Sequence, residues 1–222
     1  MNEKVRVQGY DISDHSAAVI GCGGLGTNVA VHLAGAGIGE LCLCDFDTVQ
    51  MRNLNRQFFY TQADVGKQKC ELLASRLRLY APDVAITFVS KQIVCADDLS
   101  FADDTELVIL AVDNIEARRI VNDYCKQQNK PLINGGVDGT FGTAYLYVPG
   151  MCADLEEAGL LLKTNRRPQS QSPVVGVIGA LEAKLAVDHF LKNTDAQGRL
   201  LCFDGIETRA LQIQPRRGDE AT

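Results

Sequence analysis

Apolar residues fall into short, nearly unbroken runs separated by longer stretches in which they recur every three or four positions. Residues 16–21, 40–45 and 106–112 are runs of Ala, Val, Ile, Leu and Cys ending in Gly, Asp or Val, too short for helices. Runs of this kind predict strands buried on both faces, as in a parallel sheet. Helical spacing fills the intervals at 24–37 and 66–80, where Cys70, Leu73, Leu77 and Tyr80 form one stripe and Pro82 stops it. Residues 84–89 alternate into a third strand, 115–128 form the helix after the fourth, and 131–134 are a fifth strand. A sixth strand at 140–148 is predicted antiparallel to its neighbour, because no helix intervenes.

Residues 151–172 break the rhythm. They are polar, contain Arg166-Arg167-Pro168 and a Gln/Ser run, and predict a mobile crossover segment with a helical turn or two over 155–162. Pro173 opens a long apolar helix to about 191, followed by strands at 200–204 and 210–213 and a charged tail. The expected architecture is a single α/β domain over 1–222, a Rossmann-like doubly wound, mainly parallel sheet with late antiparallel strands. The first β-α-β unit carries Gly21-Cys22-Gly23-Gly24-Leu25-Gly26 at its first turn, and Asp45 ends its second strand. Gly21 suits the tight turn, Gly23 and Gly24 let a ligand approach the backbone, Gly26 allows close helix packing, and the helix N-terminus offers N–H groups to phosphate.

The 222 residues include 28 acidic and 22 basic side chains, a net charge of −6. That balance argues against general nucleic-acid binding, which needs a basic face. No apolar run is long enough to cross a bilayer and no leader pattern opens the chain, so a cytoplasmic location without membrane contact is expected. The eight cysteines form no Cys-x-x-Cys pair, so neither a disulfide framework nor a zinc site is expected.

The glycine loop fits several nucleotide binders, and Asp45 would serve an NAD or an ATP ribose equally. Asn53-Leu54-Asn55-Arg56-Gln57, followed by Lys69, does not fit an ordinary NAD-dependent dehydrogenase. Two cations thirteen residues apart behind a ribose-directed carboxylate suit a triphosphate, although each alone could be a solvated surface charge. Asp113 leaves the fourth strand where open sheets bind ligands, and could serve there or cap the helix beginning around Asn114. Asp47 reads as structural, and His15, His32 and His189 as surface or packing residues.

Six ordered motifs identify a resemblance over about 17–213: 21–26, Asp45-Phe46-Asp47, 53–57, Gly66-Lys67-Gln68-Lys69, Val112-Asp113-Asn114 and 173–179. Together they resemble the ThiF/MoeB/HesA family, bacterial relatives of ubiquitin-activating enzymes. The resemblance implies adenylation, with Mg-ATP, of the C-terminal glycine of a ubiquitin-like sulfur-carrier protein ending in Gly-Gly. The product would be a thiocarboxylate precursor for thiamine or related sulfur-transfer biosynthesis. It further implies nucleotide contacts from Gly21, Gly23, Gly24, Gly26, Asp45, Asn53, Arg56, Gln57, Lys69, Asp113 and Asn114, with Arg56 and Asp113 catalytic and Asp113 near Mg²⁺. A homodimer is implied as well.

Several features depart from the family pattern. Zinc-binding relatives carry a cysteine pair where this chain has Cys152 and Leu155, and a second pair where its tail has none. Cys152 is the one crossover-loop candidate for a thiol that reacts with a carrier or a persulfide. Only Arg6 could replace the arginine that relatives send into a partner subunit's site. With no sulfurtransferase domain in the sequence, sulfur is expected from a separate donor protein. The competing expectation is a non-catalytic nucleotide-binding scaffold for the carrier; a tRNA base or a peptide C-terminus are alternative acceptors.

Overall fold

The computed structural model describes residues 10–161 and 170–213. Arg6, Arg166-Arg167-Pro168 and the charged tail lie outside the described residues.

The elements follow in the order β1 (Ser16–Ile20), α1 (Gly24–Gly35), β2 (Glu40–Cys44), α2 (Lys69–Tyr80), β3 (Ala85–Val89), β4 (Leu107–Leu110), α3 (Ile115–Gln127), β5 (Leu132–Asp138), β6 (Phe141–Tyr147), α4 (Ser172–Phe190), β7 (Arg199–Phe203) and β8 (Thr208–Gln212). They build one eight-stranded sheet in the order β3-β2-β1-β4-β5-β6-β7-β8. The pairs from β3 through β5 are parallel and the three from β5 to β8 antiparallel, so the α/β architecture matches the sequence reading. The chain winds outward from β1 through β2 to β3, then returns to β4 on the other side of β1. The crevice beyond the carboxyl ends of β1 and β4 is therefore the switch point where such sheets bind ligands.

Alternate residues of the central strands feed two separate cores. Ala17, Val19, Leu41, Leu43, Leu107 and Ile109 pack under α1, α2 and α4. Ala18, Ile20, Cys42, Cys44, Val108 and Leu110 pack under α3 and the 151–161 segment. Two-sided burial is why these strands are apolar at consecutive positions rather than at every second one.

Three boundaries differ from the periodicity. Helix α2 begins at Lys69 rather than 66, because 66–68 are held in an extended clasp against 48–49: Gly66 N–H donates to Val49 O at 2.9 Å, Val49 N–H donates to Lys67 O at 2.9 Å, and Thr48 bridges Gln68. Strand β5 runs on to Asp138, since Gly135 and Gly136 pair with Ala144 and Thr143 of β6 despite their weak strand propensity. The described part of the crossover, 151–161, is packed rather than open: Cys152, Ala153, Asp154, Leu155 and Leu161 are buried. Asp154 meets Lys126 of α3 at 2.6 Å, and Leu155 N–H donates to Asn122 Oδ1 at 2.9 Å.

Candidate functional site

A cleft of about 1100 Å³ opens along the carboxyl ends of the parallel strands. Its floor is the glycine loop. A Cβ on Gly26 would overlap the carbonyl oxygen of Gly21, so only glycine lets α1 begin this close to β1. The first helical turn has neither a side-chain cap on the Gly23 N-terminus nor an acidic residue, which leaves it electropositive.

Asp45 accepts at both oxygens, one bond from this loop and one from its own turn. Cys22 N–H donates to Oδ2 at 2.6 Å and Asp47 N–H donates to Oδ1 at 2.8 Å. Burial pushes its carboxyl pKa up, while Lys69 and these two N–H donors pull it down. Lys69 is buried at the start of α2, with its Nζ 2.8 Å from Asp47 Oδ2. Asp47 is thus the lysine's ion-pair partner in the free site.

The 3-10 turn Met51–Asn53 and the bends after it deliver Asn53, Arg56 and Gln57 to the cleft, with Arg56 and Gln57 beside the glycine loop. Gln57 N–H donates to Asn53 O at 3.0 Å, and the Arg56 guanidinium donates to Asn55 Oδ1 at 3.0 Å. Gln57 is buried, yet its Oε1 has no hydrogen-bond partner. A buried acceptor facing a cleft without a donor marks a place where a ligand can complete the bonding.

Asp113 projects from the end of β4 and is exposed. The cap of α3 is Asn114 instead, whose Oδ1 accepts from Glu116 N–H at 2.8 Å and Ala117 N–H at 3.3 Å. Asn114 is spent on its helix, and the Asp113 carboxylate stays available to the cleft. Of the residues singled out from sequence, Gly21, Gly23, Gly24, Asp45, Asn53, Arg56, Gln57, Lys69, Asp113 and Asn114 line this one cleft. Gly26 supports it from beneath.

Cys152 does not join them. It is 5% exposed, its Sγ accepts from Val148 N–H at 3.2 Å, and it belongs to the core under α3. All eight cysteines are free thiols, and burial raises the Cys22 pKa well above its ordinary value. Among the described residues no group of three or more His, Cys, Asp and Glu side chains could hold a metal ion.

Two residues were missed from sequence, Arg118 lining the cleft and Glu182 buried behind it. Arg118 donates to Val112 O, Asn134 Oδ1 and Gly135 O, bridging the ends of β4 and β5. Burial lowers its pKa, while Glu182 and Asp113 raise it. Glu182, on α4, is fully buried, and among the described residues neither carboxylate oxygen has a hydrogen-bond partner. Its carboxyl fills the space that a side chain on Gly135 would occupy, so glycine there is a matter of room. Burial pushes the Glu182 pKa up to about 8, against the pull of Arg118. Both residues were legible in principle as single charges on otherwise apolar helix stripes: Arg118 lies with Val121 and Cys125, and Glu182 with Ile178 and Leu185.

With this geometry in place, comparison with known proteins is informative. The ThiF family model matches residues 4–221. The chain is 33% identical over 229 residues to the adenylyltransferase and sulfurtransferase MOCS3 of Anopheles gambiae, covering 96% of this chain and 51% of that protein. It is 31% identical over 214 residues to the sulfur carrier protein ThiS adenylyltransferase of Escherichia coli strain K12, covering 92% of this chain and 83% of that protein. The chain thus spans about half the length of the MOCS3 relatives it matches and most of the ThiS enzyme. Among solved structures, E. coli MccB with ATP superposes with a TM-score of 0.82 at 26% identity, covering 92% of this chain and 65% of that one.

Proposed function

The chain belongs to the ThiF family, and from that premise we propose that it adenylates the C-terminal glycine of a ubiquitin-like sulfur-carrier protein, using ATP. The observation that carries the reading is the convergence of Asp45, Arg56, Gln57, Lys69 and Asp113 on one cleft over an electropositive helix start. An adenylyltransferase acting on ThiS is among the relatives it matches over most of both chains.

In the proposed reaction a carrier carboxylate oxygen attacks the α-phosphorus of ATP. The bond from that phosphorus to the bridging oxygen breaks, and pyrophosphate leaves with the electron pair. No proton need move, so the protein's work is positioning and charge stabilisation. Asp45 accepts from the ribose hydroxyls, its orientation already set by the N–H groups of Cys22 and Asp47. Arg56 offers a forked donor to the phosphate oxygens. Lys69 exchanges Asp47 for phosphate, and Gln57 Oε1 accepts from a nucleotide hydroxyl or N–H.

The residues present fit Mg²⁺ in one respect: Asp113 is an exposed, uncapped hard-oxygen donor at the cleft, and magnesium is held by one or two carboxylates plus substrate phosphates rather than by a protein cage. When bound there, the ion would offset charge on the phosphate oxygens. Asp113 would hold it, and Arg118 would stand as a fixed cation beneath.

The proposal includes a cytoplasmic homodimer, a separate sulfur donor, and a product feeding thiamine or related biosynthesis. Support for self-association is the exposure of Met51, Phe58 and Phe141; support for the pathway is the likeness to the ThiS enzyme. Cys152 takes no part in the ATP step. The test is exchange of labelled pyrophosphate into ATP with candidate carriers ending in Gly-Gly. Carrier-dependent exchange supports the proposal. ATP binding without exchange for any such carrier would overturn it in favour of a scaffold.

A further inference from the structure

One phenol ties together the three segments that face the phosphates. Tyr60 is 3% exposed and closes the 53–60 segment, its N–H donating to Gln57 O at 3.0 Å. Its hydroxyl donates to the carbonyl of Cys22 in the glycine loop at 2.7 Å, with the carbonyl of Lys69 at 3.3 Å. A phenol has one proton to give, so Cys22 receives the main bond and Lys69 the weaker arm of a shared one. The other side of Cys22 is pinned too, by its N–H bond to Asp45. The same segment is anchored to α2 by Arg76, which donates to Phe59 O and pairs with Asp64. Burial pushes the Tyr60 hydroxyl above its ordinary pKa, so it remains a donor throughout the working range.

We propose that Tyr60 is a positioning residue for the ATP site: its hydroxyl sets the glycine loop and the root of Lys69 relative to Arg56 and Gln57. The assignment rests on the adenylation reading for its purpose, but not for its geometry. Without the hydroxyl, the buried Cys22 carbonyl has no other partner among the described residues, and the loop is free to relax away from the 53–60 segment. Phenylalanine would fill the same space, so the change removes the bond and little packing.

Tyr124 supplies a control. It is 4% exposed, its hydroxyl donates to Asp103 Oδ1 at 2.7 Å, and it sits on α3, away from the cleft. Tyr60→Phe and Tyr124→Phe each remove one hydroxyl bond and keep the ring, the first bond going to a buried carbonyl and the second to the exposed Asp103 carboxylate. The experiment measures ATP affinity by direct titration and kcat/KM for ATP in carrier-dependent exchange, well below both melting midpoints. For Tyr60→Phe both should fall roughly tenfold, while Tyr124→Phe stays within about twofold of wild type. Equal values for the two variants would overturn the proposal. If wild type binds ATP but exchanges with no carrier, the adenylation reading fails, and the affinities alone decide whether Tyr60 positions the site. A wild type without ATP affinity overturns both.

Discussion

The two walls of the cleft are built on opposite principles. On the β1–β2 side almost every polar group is satisfied: Asp45 by two N–H groups, Lys69 by Asp47, Cys22 by Asp45 and Tyr60. On the β4–β5 side charge is left unspent. Asp113 is exposed and uncapped, while Glu182 is buried beneath Arg118 without a hydrogen-bond partner among the described residues. In the proposed reading the first wall is a pre-formed receptor for the nucleotide. The second holds its charges in tension, as expected where reacting atoms and their counter-ions meet.

That contrast can be broken or sharpened in order of effect. Arg56→Ala and Asp113→Ala should each lower kcat/KM for pyrophosphate exchange by roughly 10²-fold with nearly unchanged melting midpoints, because both line the cleft and the one side-chain bond of Arg56 among the described residues, to Asn55, is exposed. A matching fall in thermal stability would show that they serve the fold instead.

Glu182→Gln tests the strained wall through pH. The carboxyl titrates near 8 in the fold against 4.5 in the unfolded chain. Between those values the folded state keeps a proton that the unfolded state has lost. Its stability contribution is therefore complete below 4.5 and lost as pH rises through about 8. Glutamine has no such proton, so the variant's stability relative to wild type should climb by about a few kcal/mol between about pH 5 and pH 9. Melting curves that run parallel across that range would contradict the assignment.

Gly135→Ala should cost about 1–3 kcal/mol, because its Cβ would strike the Glu182 carboxyl, and Glu182→Ala should relieve much of that loss. Denaturant titration of the double variant reads the coupling. The smallest effect is the most diagnostic of roles. Cys152→Ser should leave exchange within about twofold of wild type, since the thiol is buried in the core under α3; abolished exchange would reassign it to the ATP step.

The satisfied wall was also the legible one. The glycine loop, Asp45, the 53–57 stretch and Lys69 are short-range patterns, each set by local backbone geometry, and the parallel or antiparallel character of the strands followed from which runs were separated by helices. The strained wall depends on contacts between distant positions. Nothing local announces that Glu182 will face Gly135, 47 positions away, or that Arg118 will bridge two strand ends. The apolar run of α4 concealed its one buried carboxylate, Glu182, and the glycines of β5 hid a strand that continues through them. The polar composition of 151–161 suggested a loose loop, but Asp154 spends its charge on Lys126 and its own turn, which lets Leu155 and Leu161 reach the core. Composition cannot distinguish a solvated polar segment from one whose polar groups are satisfied internally.

A crystal structure with a non-hydrolysable ATP analogue tests the central claim most directly. The account predicts the ribose on Asp45, the Arg56 guanidinium and the Lys69 amine within hydrogen-bond reach of phosphate oxygens, and Lys69 moved off Asp47 toward them. A triphosphate bound with both cations turned away, or seated outside this cleft, would contradict it.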